Sequence, residues 1–276
     1  MQAPIVTLTT DWGDKDYFIA MVKGKLYSMV PEARVVDLSH HQIWNDMVPT
    51  VGIVRYGCLS FPTGTVHIID VGVEQQHFAV QNVTGPVLVS YRGHYFICSE
   101  RRVLEQAFDN PCDEIVELKP PADGSSCSFL ASTLFCEVAA RLLSGTAVAS
   151  LGSPCEPLRR RSFLLAQVDG DILNAMVIGI DSYGNANLNV RYEDFEAVRA
   201  GRRFRIELEW RAGVGERLET ITGVSRHYSD VRVGDLLLIV STTGLLQLAI
   251  NKGSVTQLIG LKYASRCRFI FAPRSV

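Results

Sequence analysis

The sequence carries almost no excess of charge of either sign: 27 lysines and arginines stand against 29 aspartates and glutamates, for a formal net charge of −2. That balance leaves no electrostatic footprint for nucleic acid or for an acidic membrane surface. The short basic stretch Arg159-Arg160-Arg161 lies close to Pro157 and reads as solvated linker. No apolar run approaches the length of a membrane-spanning helix. The seven cysteines (Cys58, Cys98, Cys112, Cys127, Cys136, Cys155 and Cys267) never form a CxxC pair. Their odd number and irregular spacing argue against a disulfide framework and against a structural zinc site. GxGxxG, P-loop, GxSxG and HExxH motifs are missing too, so the common nucleotide, esterase and metalloprotease readings lack support. The sequence starts with Met1 and runs directly into a strand-like segment without a signal-peptide pattern, and a reducing cytoplasm is the expected compartment.

What is present suits a globular chain of two domains. The 276 residues exceed the usual size of one domain, and 47% hydrophobic residues with 20% charged fill a core. Pro4 to Thr10 is apolar and β-branched and reads as a buried strand that stops at Asp11-Trp12-Gly13. Phe18, Met21, Val22, Leu26 and Met29 fall at helical spacing and end before Pro31. A strand over 34–38, a helix over 47–61 and a strand over 65–70 follow, then strand pairs over 78–97, a short helix over 103–108 and an amphipathic helix over 129–143. This alternation predicts an α/β domain with a mainly parallel sheet over residues 1–160. Residues 151–161, with Pro154, Pro157 and the arginines, read as linker. From Ser162 the pattern turns to short strands and glycine turns, which predicts a smaller all-β, barrel-like domain over 161–276.

Ligands in open α/β sheets bind beyond the carboxyl ends of the strands. Two strands end in aspartate, Asp11 and Asp70, and such a carboxylate can accept two hydrogen bonds from a ribose diol. The residues alone leave Asp11 open between that role and ordinary turn chemistry. In the second half, Ile180-Asp181-Ser182-Tyr183-Gly184-Asn185 and Ser241-Thr242-Thr243-Gly244 set polar groups in turns beside apolar strands. Each is equally readable as a plain hairpin.

Taken in order, Leu8-Thr9-Thr10-Asp11-Trp12-Gly13, Lys23-Gly24, Pro31 through Asp37, His40, Phe61 through His67, and Asp70 resemble the S-adenosylmethionine hydroxide adenosyltransferase family. That family also contains the fluorinases and chlorinases. The resemblance resumes at Asp181 through Asn189 and runs on through Gly234-Asp235-Leu236, Ser241 through Gly244 and Leu248 through Leu261. It implies an α/β N-terminal domain, a β-rich C-terminal domain, and a homotrimer whose ligand lies between neighbouring subunits. It implies S-adenosylmethionine as substrate or ligand, with no metal. Carried over, Asp11 holds the ribose hydroxyls and Trp44 lies against the sugar. Asp181 meets the methionine ammonium, Asn185 the adenine edge, Tyr228 the adenine face, and Thr242 the methionine carboxylate. Trp44 and Tyr228 have the ordinary alternative of filling core.

The reaction implied is in-line displacement at the 5′ carbon by water, hydroxide or halide, with methionine leaving as a neutral thioether. Hydrolytic members use an aspartate, an arginine and a histidine for it. Asp70 matches the aspartate, where halogenating members have a tyrosine. The arginine is missing, with Gln75 in its place or His77 if the gap shifts. Leu130 occupies the histidine position, and Glu100-Arg101-Arg102 replaces an Asp-Asn-Gly. The candidate catalytic residues are therefore Asp70, Gln75 and His77, with Glu100 as a further substitute. Three functions stay open: a divergent adenosyl-transferring enzyme, a non-catalytic S-adenosylmethionine sensor or partner subunit, and a lyase or cyclase acting on the sulfonium.

Overall fold

The computed structural model describes residues 3–42, 47–72, 85–119, 129–159, 166–208, 217–219 and 221–273. The chain divides into two compact units, residues 1–161 and 162–276.

The first unit contains β1 (Ile5–Thr10), α1 (Phe18–Met29), β2 (Arg34–Ser39), α2 (Met47–Gly52), β3 (Val66–Asp70), β4 (Val87–Tyr91) and β5 (His94–Cys98). It continues with α3 (Arg101–Ala107), β6 (Glu114–Glu117), α4 (Leu134–Leu143) and β7 (Ser153–Pro154). Its seven strands lie in the order β2-β1-β3-β5-β4-β6-β7. β2, β1, β3 and β5 pair in parallel and form the centre of the sheet, and β4, β6 and β7 extend one edge by antiparallel pairing. The β4–β5 pair turns at Arg92-Gly93, which a parallel sheet could not do in so few residues. Central strand β1 is β-branched and buried on both faces, as a parallel strand between helical layers should be. One face packs Val6, Leu8, Val66 and Ile68 against Val22 and Leu26 of α1 and Phe135 of α4.

Three segments differ in detail from the sequence pattern. The helix expected over 47–61 is α2 followed by a π turn, Ile53–Gly57, and a 3-10 turn, Cys58–Ser60. The one expected over 129–143 begins as a 3-10 turn, Leu130–Ser132, and becomes α4 only after Thr133, whose φ of −112° and ψ of −83° break the helix. The expected linker contributes β7 to the sheet edge, and Arg101 of α3 donates to the carbonyls of Glu156 (3.0 Å) and Pro157 (2.9 Å).

The second unit contains β8 (Gln167–Asp169), β9 (Ile172–Ile180), β10 (Ala186–Arg191), α5 (Tyr192–Arg199), β11 (Phe204–Leu208), β12 (Arg217–Glu219) and β13 (Val224–Ser225). It ends with β14 (Leu236–Val240), β15 (Leu245–Ile250), α6 (Val255–Leu258) and β16 (Arg266–Phe271). The strands form one curled sheet in the order β12-β11-β16-β9-β10-β15-β14-β13, with β8 also on β9. Two short helices accompany the sheet, and α5 inserts Phe195 among Phe204, Phe269 and Phe271, with ring centroids 5.1–5.8 Å apart. Such aromatic packing adds to the area term of a buried phenylalanine, itself about 1.5–3 kcal/mol.

Candidate functional site

From β1 the chain moves to β2 on one side and then crosses to β3 on the other. The carboxyl ends of β1 and β3 therefore flank the place where the connections diverge, which is where open α/β sheets hold ligands. Thr10 pairs with Asp70 across these two strands, and Asp11 follows directly. Both aspartates expected from the sequence thus stand at one strand-end crevice.

Their environments differ. Asp11 accepts the Gly72 backbone N–H at Oδ2 (2.9 Å), which ties the turn after β1 to the one after β3. Gly72 makes that turn with φ +77°, a backbone that side-chain-bearing residues rarely adopt. Asp70 is buried and takes the Trp12 Nε1–H at Oδ2 (3.1 Å). Burial pushes its carboxyl up to about 6; the Asp11 charge pushes the same way, and hydrogen bonding from Ser99 and Trp12 pulls against both. Ser99 closes the floor, with its Oγ accepting the Val71 N–H (3.2 Å) and donating to the Ile69 carbonyl (3.3 Å). Among the described residues no cation is ion-paired with Asp70.

Leu130, at the position where the resemblance expects a histidine, is 3% exposed and belongs to the core with Val6, Leu8 and Phe135. Glu100 is the N-cap of α3: Oε1 accepts the Arg102 N–H (3.1 Å) and Oε2 meets the Arg102 guanidinium (2.5 Å). Its engagement with Arg102 leaves it a capping residue. Trp44, Gln75 and His77 lie outside the described residues.

In the second unit, the turn between β9 and β10 is built by Asp181. Its Oδ1 accepts the N–H groups of Tyr183 and Asn185 (both 2.9 Å), and its Oδ2 accepts Asn185 Nδ2 (2.9 Å) and Gln247 Nε2 (3.2 Å). Four donors fill the four acceptor sites of a carboxylate. Gly184 turns the chain at φ +82°, and a Cβ there would lie 2.0 Å from Ser254 Oγ, so glycine is required. Gln247, buried on β15, also donates to Asn187 Oδ1 (3.0 Å) and accepts the Tyr228 hydroxyl (3.0 Å). The network thus joins Asp181, Asn185, Asn187, Gln247 and Tyr228, whose ring stays half exposed. Thr242 is exposed in the β14–β15 turn, beside the far end of β10, where Tyr192 N–H meets the Gly244 carbonyl (2.9 Å). The Asp181 turn lies at the opposite end of the β10–β15 pair, so Thr242 does not join that network.

Sequence reasoning missed Trp12, Ser99, Asn187 and Gln247 as site residues. Gln247 had a legible signal: one amide inside Leu245-Leu246-Gln247-Leu248-Ala249-Ile250 must find partners when the strand is buried. Ser99 and Asn187 had none, because their partners lie on other strands.

Among the described residues, no group of three or more histidine, cysteine, aspartate or glutamate side chains is placed to hold a metal, and no helix is long and apolar enough to cross a membrane. The chain is similar over its whole length to known proteins. A (R)-S-adenosyl-L-methionine hydrolase of Salinispora tropica is 27% identical over 275 residues, covering 96% of this chain and 97% of that one. A protein of the same name from Thermus thermophilus is 25% identical over 280 residues, with 96% and 99% covered. An uncharacterized conserved protein from Thermotoga maritima superposes with a TM-score of 0.74 at 21% identity, over 96% of this chain and 99% of the other, and shows the shared fold. The SAM hydroxide adenosyltransferase N-terminal domain matches residues 6–152 and its C-terminal domain residues 175–268. With both halves matched in order, the chain belongs to the SAM hydroxide adenosyltransferase family, whose substrate is S-adenosylmethionine.

Proposed function

We propose that the chain is an enzyme that displaces methionine from S-adenosylmethionine at the 5′ carbon, with water as the nucleophile. The observation that carries this reading is Asp70: a buried carboxylate at the strand-end crevice, without an ion-paired cation among the described residues and pushed up to about 6 by burial. A general base works best when its pKa lies near the operating pH. In the step proposed, a lone pair of water forms the C–O bond as the C5′–S bond breaks, and that bond's electron pair stays on sulfur. Methionine leaves as a neutral thioether and needs no proton. The water's proton passes to Asp70 and then to solvent, giving adenosine, methionine and H⁺.

The other residues would bind and orient. Asp11 meets Gly72 through Oδ2 alone, so its Oδ1 can receive ribose hydroxyls. Among the described residues Asp181 is met by neutral donors, so the methionine ammonium can replace one of them, the 3.2 Å contact from Gln247 being the longest. Tyr228 and Asn185 sit on the same network to receive adenine. The relatives named as hydrolases support water over halide as nucleophile. Leu130 and the missing arginine argue that turnover is slow, since each lost orienting contact costs roughly 10²-fold when geometry slips. The resemblance further supports a homotrimer, which light scattering would reveal as a mass three times that of the 30.5 kDa chain.

The test is incubation with S-adenosylmethionine and mass spectrometry of the nucleosides. Adenosine that vanishes in Asp70→Asn is the expected result. Methylthioadenosine would replace displacement by an elimination or cyclisation, and unchanged ligand bound to folded protein would make the chain a sensor.

A further inference from the structure

A buried or half-buried indole N–H requires an acceptor, and that of Trp12 reaches Asp70 Oδ2 at 3.1 Å. The ring cannot readily turn away. His40 stacks beside it with centroids 6.2 Å apart and planes 19° apart, and Phe129 meets it edge-on at 4.9 Å, backed by Phe18 at 4.8 Å. His40 is itself fixed, with Nδ1 2.7 Å from Thr10 Oγ1 and Nε2 3.1 Å from Asp37 Oδ1, while Asp37 is held by Lys23 at 2.5 Å. The ends of β1 and β2, the first turn of α1 and the residue before the 3-10 turn at Leu130 therefore converge on one N–H. Phe129 belongs to this clamp while its neighbour Leu130 turns into the core.

We propose that Trp12 is the positioning residue of Asp70, its clamped indole N–H aiming the carboxylate in a chain that has leucine where a polar orienting partner is expected. The inference rests on the reading of Asp70 as proton acceptor, but it is tested on Asp70 itself. Donors to the ionised carboxylate, the Ser99 hydroxyl and the Trp12 indole, hold its titration down; Asp11 acts oppositely, and among the described residues the buried, neutral Cys98 thiol on β5 is a further titratable group near it. His40 faces the ring of Trp12 rather than the carboxylate.

Trp12→Phe keeps an aromatic ring in the clamp and removes only the N–H. In that variant the midpoint of Asp70, followed by NMR of its carboxyl carbon and identified with Asp70→Asn, should rise by about one pH unit, the scale of a hydrogen bond to a charged group. In the wild type, the one indole resonance of the three tryptophans that is lost in Trp12→Phe should shift with the same midpoint as Asp70. Where adenosyl transfer is measurable, the acid limb of kcat should move by the same amount with KM little changed, which a merely structural role would not produce. An unmoved Asp70 midpoint in folded Trp12→Phe, or an indole resonance silent across the titration of Asp70, would overturn the proposal. A coupled titration in a protein that neither binds nor consumes S-adenosylmethionine would uphold the Trp12–Asp70 linkage and bring down the catalytic reading instead.

Discussion

The two units bury different kinds of polar group. The sheet of the first encloses ionisable side chains, Asp70, His67, His94 and His40, whereas the buried polar residues of the second are the amides Asn185, Asn189 and Gln247. An amide saturated by hydrogen bonds is insensitive to pH; a buried carboxylate or imidazole is not. The first unit thus buries groups whose charge state changes with pH, and the second buries a hydrogen-bond pattern that pH leaves unchanged. His67 shows that the first unit's ionisable layer extends beyond the crevice. Its Nδ1 lies 2.7 Å from Thr7 Oγ1 and its Nε2 3.1 Å from His94 Nδ1. It is pushed down to about 3 by burial, with the His94 charge adding.

The largest effect expected from this contrast is that of Asp70→Asn. It should lower adenosine formation by about 10²–10⁴-fold, the range for a general base, with binding measured by calorimetry largely retained. It should also leave the fold as stable or more stable above pH 6, because a carboxylate whose folded pKa is raised to about 6 is unfavourable when ionised. Lost binding with intact turnover would invert the division of labour between the units.

Leu130→His comes next. An imidazole placed among Leu8, Val66 and Phe135 should cost about 2–4 kcal/mol in urea unfolding at neutral pH. Stability held while adenosine release rises would show that the crevice reaches Leu130.

Asp181→Ala removes the acceptor of four hydrogen bonds at once. It should weaken S-adenosylmethionine binding by about 1–3 kcal/mol, read by calorimetry, and loosen amide exchange at the β9–β10 turn while β1 and β3 stay protected. Gln247→Ala should give a smaller loss of the same kind, and an equal loss would make Gln247 the true ligand contact.

The last effect is graded by pH, and within one pH unit it is small. The unfolded chain protonates His67 near 6.5, the folded chain only near 3, so its contribution is fully present above 6.5 and is lost as pH falls through that window. Stability should fall by about 1.4 kcal/mol per pH unit there for this group, and His67→Gln should flatten the slope. Hydrogen exchange should show the acid loss in β1, β3 and β5 before β14 and β15; a loss beginning in the second unit would break the comparison.

Sequence by itself determined the two-part architecture, the order of most elements and the family. These follow from local patterns: the β-branched run into Asp11, the helical spacing of Val22 and Leu26, the glycine turns after Ser162, and motifs kept in order along the chain. It also marked Asp11 and Asp70, because a carboxylate at the end of an apolar strand is visible without knowing the strand's neighbours. Only the tertiary structure decided that β4, β6 and β7 join the sheet by antiparallel pairing, since pairing depends on partners far away in sequence. It alone showed that Thr133 breaks the helix before α4 and that α5 carries a phenylalanine into the second core. The same holds for chemistry. Asp70 meets Trp12 across 58 residues, and Asp181 meets Gln247 across 66. Those contacts set how a carboxylate titrates and what it can still bind, and side-chain identity cannot reveal them because burial and partner are properties of the folded chain.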